Sequence, residues 1–260
     1  MIVGKKRVGI EEGLSSAELV QQALLPKKRH FDRLFDDSFV FYRPKHIISG
    51  DFYWVGRKHD FTYLVVGDCT GHGISAALLS VLALNLLEYV IMNKGLKKPN
   101  KILKEFDKKF IESFKYSDKG NEDNPWIDLS LVCIDESEQK IYYSAANRKV
   151  LIRKKNGLSE IYSGSRYPIG GWKVEENRTF DTITFNYESV DKLYLGSDGF
   201  QDQIGGEKNK KYKSKKLHEL LIDTGNTDLE AQKQTLVSEF ELWKHANEQV
   251  DDVCIVGVEL

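Results

Sequence analysis

Cysteine is scarce in this 260-residue chain, which has only three. Cys69, Cys133 and Cys254 are an odd count without the spacing of metal ligands, and two of them lie in apolar runs where a thiol acts as a small hydrophobic group. A disulfide framework and a thiolate metal site are therefore excluded. The composition fits a reducing, cytoplasmic setting.

Neither sign of charge is in excess, since 38 Lys and Arg residues balance 39 Asp and Glu residues. A neutral chain has no overall field that would favour nucleic acid. The first ten residues carry Lys5, Lys6 and Arg7 with no apolar stretch behind them, so the sequence predicts no secretory signal.

Only one long apolar run is present, from Ile74 to Met92. It contains Ser80, Asn85 and Glu88, which fall within roughly 140° of a helical wheel. This pattern predicts a helix that packs on a sheet and has one solvent-exposed side. It does not predict a membrane span.

Helix signals occur at four places along the chain. Ser15-x-x-Glu18 is a capping box that predicts a short helix ending before Pro26. That helix either packs on its own domain or serves as an interaction element. Further helices are predicted from Ile74, over residues 100–114, and after a second capping box that begins at Thr227.

Runs rich in aromatic and β-branched residues predict the strands. They cover residues 39–42, 52–55, 61–66, 127–134, 140–144, 149–153, 179–185, 192–196 and 253–259. The strands and helices are segregated without regular alternation, which favours an α+β fold with antiparallel sheets covered by helices. The last strand is expected to be central or well paired.

Acidic residues stand at four strand ends that are far apart in the sequence: Asp51, Asp68, Asp198 and Asp251. Adjacent glycines would let the backbone approach a ligand closely. Carboxylate oxygens are the ligands that Mg²⁺ and Mn²⁺ prefer. A pair of such ions about 3.5 to 4 Å apart can drive phosphate ester hydrolysis. The pattern therefore predicts one convergent metal site.

The motifs around these aspartates resemble those of the SpoIIE/RsbU-type branch of the PPM metal-dependent serine/threonine protein phosphatases. The matching pieces are Ser-Gly-Asp-Phe-Tyr at 49–53, Gly-Asp-x-x-Gly-His-Gly at 67–73, Ala-Ala-Leu at 76–78, Ala-Asn at 146–147, Pro-Ile-Gly at 168–170, Ser-Asp-Gly at 197–199 and Asp-Asp-Val at 251–253. The resemblance implies an αββα layered sandwich of two mainly antiparallel sheets. It also implies a phosphatase domain over residues 36–260, preceded by an N-terminal linker or interaction helix over residues 1–35.

The resemblance also assigns roles to the acidic residues. Asp68 would bridge two Mn²⁺ or Mg²⁺ ions, with the backbone carbonyl of Cys69 as a neighbouring ligand. Asp51, Asp198 and Asp251 would complete the ligand set, and a water activated by both ions would attack the phosphorus. Asp252 would support the ligands. Asp128 is a candidate ligand for a third ion on a different ground, because it lies on a predicted strand that could reach the metals.

The sequence leaves the roles of several further residues undecided. His72 either donates a proton to the leaving group or simply caps a helix. Asn147 and the Gly170-Gly171 turn match family positions near the site, although Ala145-Ala146 stands where the family usually has a Gly-His-like pair. Arg43 is a poor match to the phosphate-binding arginine of the wider family and is left out of the site.

The lysine-rich loop holds six lysines downstream of Asp198: Lys208, Lys210, Lys211, Lys213, Lys215 and Lys216. Such a run is usually a solvated face. The functional alternative is a flap that attracts an acidic phosphoprotein.

By resemblance, the expected substrate is a phosphorylated regulatory protein such as an anti-sigma-factor antagonist, and the N-terminal helix is a candidate homodimer contact. The alternative function is a catalytically idle binding module on the same fold. A two-metal nuclease is disfavoured because no basic groove accompanies the acidic motifs.

Overall fold

The computed structural model describes residues 2–115, 124–171 and 178–260, with side chains from residue 12 onward. The strands are β1 (Asp37–Arg43), β2 (Asp51–Lys58), β3 (Phe61–Cys69), β4 (Trp126–Asp135), β5 (Lys140–Ala146), β6 (Lys149–Lys154), β7 (Ser159–Ser163), β8 (Ile169–Gly170), β9 (Ile183–Asn186), β10 (Val190–Gly196), β11 (Ile204–Gly205), β12 (Lys210–Lys211) and β13 (Val253–Glu259). The helices are α1 (Ile2–Leu24), α2 (Lys28–Phe31), α3 (Ile74–Glu88), α4 (Pro99–Ser113), α5 (Gly199–Asp202), α6 (Ser214–Asp223) and α7 (Leu229–Lys244).

Two antiparallel sheets form the centre of the molecule. The first sheet has the strand order β1-β13-β10-β6-β7, and the second has the order β2-β3-β4-β5-β9, with β8 paired to β4. A separate small hairpin joins β11 and β12. The chain passes from the second sheet to the first between β5 and β6, at Asn147 and Arg148.

The last strand is central, as its apolar sequence predicts. β13 lies between β1 and β10 and is buried on both faces. Successive side chains of a strand point to opposite faces. Cys254 and Val256 therefore pack between the sheets, while Val253 and Ile255 pack in the separate cluster under α6 and α7.

The helices form the two outer layers and confirm the αββα sandwich. α3 and α4 pack against each other and against strands of the second sheet. The apolar face predicted for α4 is buried through Ile102, Leu103, Phe106 and Phe110. α6 and α7 cover the first sheet through a cluster that includes Phe240.

Several predicted details of the helices are wrong. α1 begins at Ile2, so the Ser15 capping box lies inside the helix instead of starting it. α7 is capped by Asp228, whose side chain accepts a hydrogen bond from the backbone of Ala231, and not by Thr227. Ser80 was predicted to lie on the solvent-exposed side of its helix. It is instead fully buried and accepts a hydrogen bond from Gln21 of α1.

The lysine-rich segment also differs from the predicted loop. Residues 210–211 form β12, and residues 214–216 begin α6, which the sequence analysis missed. Strand β9 begins at Ile183, four residues after the predicted start at residue 179. The short strands β7 and β8 were not predicted.

Within the described residues, one helical stretch, Ile74–Asn93, is long and apolar enough to cross a membrane, and 44% of its apolar 18-residue window is buried. It comprises α3 and a π-helical turn over Tyr89–Asn93. Its buried face contacts β2, β3 and α4.

Candidate metal centre

Three aspartates lie in one row across the second sheet. Asp51 on β2 is directly opposite Asp68 on β3, and Asp68 is directly opposite Asp128 on β4. Side chains at directly opposed positions of antiparallel strands point to the same face. The register of three strands therefore brings three carboxylates together at one end of the sheet.

The first sheet contributes the other two predicted aspartates. Asp198 follows β10, and Asp251 precedes β13, the strand paired with β10. The hydroxyl of Ser197 donates a 2.5 Å hydrogen bond to Asp51 Oδ2, which ties the end of β10 to the start of β2. The four strand ends predicted from the sequence thus lie at the same edge of the sandwich.

Asp252 is buried and binds the backbone that leads into β2. Its carboxylate accepts hydrogen bonds from the amides of Lys45 and Gly50, each at 2.7 Å. The amide of Asp252 in turn donates to Asp251 Oδ1 at 2.8 Å. Asp252 therefore fixes the position of the segment before Asp51.

The backbone at Cys69 is tightly packed against Gly50. A β-carbon on Gly50 would lie 3.2 Å from the Cys69 carbonyl oxygen and 2.8 Å from Cβ of Ala76. Only glycine leaves room for this approach between the β2 and β3 ends and helix α3. The Cys69 thiol is buried, and burial raises its pKa well above the usual range.

Arg148 stands among the carboxylates. Its guanidinium forms ion pairs with Asp68, with Asp128 at 3.4 Å and with Asp198 at 3.2 Å. The residue is only 9% exposed. It therefore joins carboxylates from both sheets at the point where the chain crosses between them.

Burial raises the pKa of most of these acids. Desolvation, followed by the neighbouring Asp68, holds the pKa of Asp51 well above its usual range. Desolvation raises the pKa of Asp68 to about 8, although Arg148 opposes the shift. The pKa values of Asp128 and Asp251 are also raised, mainly by desolvation. Burial disfavours the charged guanidinium, yet the surrounding aspartates raise the pKa of Arg148 overall.

The donor chemistry fits a hard divalent cation. All the side chains are carboxylates, without histidine or thiolate, as Mg²⁺ and Mn²⁺ prefer. Asp128 Oδ1 is buried and has no hydrogen-bond partner. In the part of the chain that the structure describes, no group of three or more Asp, Glu, His or Cys side chains has the spacing needed to hold a metal ion. The carboxylates converge on Arg148 instead.

Of the residues whose roles the sequence left undecided, Asn147 directly contacts one of the clustered aspartates. Asn147 has a φ of 56° and donates a 2.9 Å hydrogen bond to Asp128 Oδ2. His72 is exposed, with its ring 5.6 Å from that of His46. The amide of Gly170 donates to Asp107 on α4 at 2.7 Å. Arg43 pairs with Glu241 of α7.

Several of the clustered lysines have acidic partners. Lys211 pairs with Asp202 at 2.7 Å, and Lys216 pairs with Glu239 at 2.6 Å. Lys215 lies 3.8 Å from Glu219. These pairs use part of the positive charge that a substrate-attracting flap would need.

Arg148 is the main residue that the sequence analysis missed. It lies in the Asn-Arg-Lys stretch between two strands, which gives no local sign of contact with an aspartate 80 positions away. A prediction that the chain changes sheets between β5 and β6 would have indicated Arg148. A residue at that crossing lies between the acidic strand ends of the first sheet and those of the second.

Comparison with known proteins supplies the family context. The model of the family described as Stage II sporulation protein E (SpoIIE) matches residues 58–260. The phosphoserine phosphatase RsbP of Bacillus subtilis strain 168 is 25% identical over 256 residues, which cover 98% of this chain and 59% of RsbP. The chain therefore spans about three fifths of the length of this curated relative.

Two solved structures show the same fold. The SiaA-PP2C domain of Pseudomonas aeruginosa superposes with a TM-score of 0.85 and 26% identity, covering 100% of both chains. RsbX in complex with magnesium superposes with a TM-score of 0.59 and 15% identity, covering 86% of this chain and 94% of RsbX.

Proposed function

Because the chain belongs to the SpoIIE family, we propose that it is a metal-dependent protein phosphatase that hydrolyses phosphoserine or phosphothreonine. The observation that carries the proposal is the row Asp51-Asp68-Asp128, which Arg148 links to Asp198 of the other sheet. The donor chemistry of this centre and the activity named for RsbP support the same reaction.

In this proposal two Mn²⁺ or Mg²⁺ ions are held by Asp51, Asp68, Asp198, Asp251 and the carbonyl of Cys69, and Asp128 offers a site for a third. Bound divalent ions supply a nucleophilic water at neutral pH and neutralise charge on the phosphoryl oxygens. RsbX, a protein of the same fold, is named in complex with magnesium.

The chain's own contacts hold these ligands in place. The Ser197 hydroxyl orients the Asp51 carboxylate. Asp252 holds the backbone of Gly50 beside it, and Asn147 orients Asp128. Such outer partners commonly fix ligand geometry at metal sites.

For the substrate we propose a phosphorylated regulatory protein, such as an anti-sigma-factor antagonist, in the cytoplasm. The support for this class is analogy at the level of the family. The name of RsbP specifies phosphoserine as the group that this relative hydrolyses. Residues 1–35 would form an interaction element with a homodimer contact, and residues 36–260 the phosphatase domain. The exposed apolar side chains of Leu19, Val20 and Leu24 on α1 support that division.

The test is hydrolysis of an aryl phosphate and of a phosphoserine peptide with Mn²⁺ and with a chelator. We expect turnover only with the metal. Asp68→Asn should lower kcat/KM by more than about a hundredfold, because loss of the outer partners of metal ligands alone costs about 10- to 100-fold.

The matched control is Asp202→Asn, the same change at an acid on α5 that pairs with Lys211. It should keep activity close to that of the parent. Full turnover of Asp68→Asn, or activity in the chelator, would contradict the proposed centre. Metal binding by the parent without any turnover would instead support an idle binding module.

A further inference from the structure

The guanidinium of Arg148 uses the same carboxylates that the proposed metal centre needs. It pairs with Asp68, Asp128 and Asp198, and these three come from both sheets. Four acids act on it electrostatically: Asp51, Asp68, Asp128 and Asp198. One buried cation therefore lies among several carboxyl groups.

A guanidinium and a divalent ion that contact the same carboxylate oxygens repel each other. A Mg²⁺-sized ion sits about 2.0–2.1 Å from its oxygen ligands. Arg148 is within hydrogen-bonding distance of Asp68 Oδ2 and within 3.4 Å of the paired oxygens of Asp128 and Asp198. An ion on Asp68 and Asp198 would stand next to the guanidinium, and like charges this close repel strongly in a desolvated site.

The surrounding structure provides room for the side chain to move. A cavity of about 130 Å³ borders Arg148, and its lining is mixed. The polar side chains include Asn147, Gln201, Ser214 and His218, and the apolar ones include Leu151, Leu217 and Ile255. Arg148 Nε is buried with no hydrogen-bond partner in its present position. The cavity therefore offers the guanidinium space outside the carboxylate cluster, with polar side chains on part of its lining.

We infer that Arg148 is an internal competitor of the metal ions, which neutralises the carboxylates and must leave Asp68 and Asp198 before divalent ions bind there. The inference rests on the proposed metal centre. It predicts that the chain binds metal more weakly than its carboxylates alone would allow. The arginine would thus set the ion concentration at which the site fills.

The test is the Mn²⁺ dissociation constant measured by isothermal titration. Arg148→Gln removes the competing charge and should bind Mn²⁺ about tenfold more tightly than the parent, or better. Lys149→Gln is the matched control, because it removes the same charge from the adjacent, exposed residue. Its dissociation constant should stay within about twofold of the parent value. These magnitudes correspond to the loss of a close charge in a partly desolvated site.

A second readout is thermal unfolding in chelator. Arg148→Gln leaves buried carboxylates unpaired, so it should lower Tm without metal and gain more than the parent when Mn²⁺ is added. If this variant does not fold, Arg148→Lys carries the test. Lysine keeps the charge but lacks the planar fork that spans several carboxylates, so it should also bind Mn²⁺ more tightly than the parent.

The possible failures are distinguishable. A parent that binds Mn²⁺ through Asp68, together with an Arg148 variant that binds it equally or more weakly, would overturn the competition alone. A parent that binds no Mn²⁺, with no difference in Asp68→Asn, would overturn both the metal centre and this inference.

Discussion

Glycine at position 199 is required by the backbone that faces it. It follows Asp198 and begins α5. A β-carbon there would lie 1.8 Å from the carbonyl oxygen of Asp252. That oxygen belongs to the main chain and cannot rotate away as a flexible side chain could. The contact sets the distance between the two acidic turns of the first sheet.

We therefore expect Gly199→Ala to lower the free energy of unfolding by about 1–3 kcal/mol or more, because the two turns must separate. Gly13→Ala is the control, since nothing lies within 4 Å of a β-carbon at that position on α1. It should raise stability by about 0.5–1 kcal/mol through helix propensity. Urea unfolding measures both changes, and equal stability of the two variants would show that the contact at Gly199 is not as close as the structure has it.

At the scale of single elements, the Gln21 side chain joins α1 to the segment that leads into β2 and Asp51. Gln21 donates to the Ser49 carbonyl at 2.7 Å and accepts from the Ser49 amide at 3.0 Å. Ser49 Oγ in turn accepts from the amide of Asp51 at 3.0 Å. The same amide group of Gln21 donates to Ser80 on α3. The helix thus contacts the start of β2 through buried polar groups.

Gln21→Ala should cost about 1–3 kcal/mol of stability, because it leaves buried donors and acceptors of Ser49 unsatisfied. Gln22→Ala is matched in residue type and helix, but its side chain is exposed and bonds only to Glu18. It should change stability by no more than about 0.5 kcal/mol. Both are compared by denaturant unfolding in chelator. If Gln21→Ala were as stable as Gln22→Ala, α1 would not be held through this contact.

Sequence patterns predicted elements well where the signal is local. Apolar runs gave most strands of the two sheets, and the spacing of Ile102, Phe106 and Phe110 gave the buried face of α4. The pattern failed where tertiary contacts decide the structure. Ser80 is polar but buried, since Gln21 reaches it from another helix, and the many lysines around α6 concealed the apolar pair Leu217 and Leu221.

At the scale of the whole molecule, the candidate site depends on both sheets meeting at one edge. Glycine and aspartate at strand ends made Asp51, Asp68, Asp198 and Asp251 predictable as a convergent set. The row formed with Asp128 depends on the register of β3 and β4, and Arg148 depends on the crossing from β5 to β6. Neither the register nor the crossing is encoded in local spacing, so the sequence offered Asp128 only as a candidate ligand and gave no sign of Arg148.

A ligand that binds carboxylates of both sheets should stabilise the entire sandwich. Mn²⁺ at about 100 times its dissociation constant adds about 2.7 kcal/mol if it binds only the folded chain. For a chain of this size that corresponds to a rise in Tm of roughly 5–10 °C. Differential scanning calorimetry with Mn²⁺ and with chelator measures the shift.

Asp198→Asn separates a centre shared by the sheets from one confined to the second sheet, because Asp198 follows β10 while Asp51 and Asp68 lie on β2 and β3. It should lose most of the Mn²⁺-induced rise in Tm, whereas Asp202→Asn should keep it. An undiminished rise in Asp198→Asn would mean that the ions bind to the second sheet alone, and the metal would then stabilise that sheet without joining it to the first.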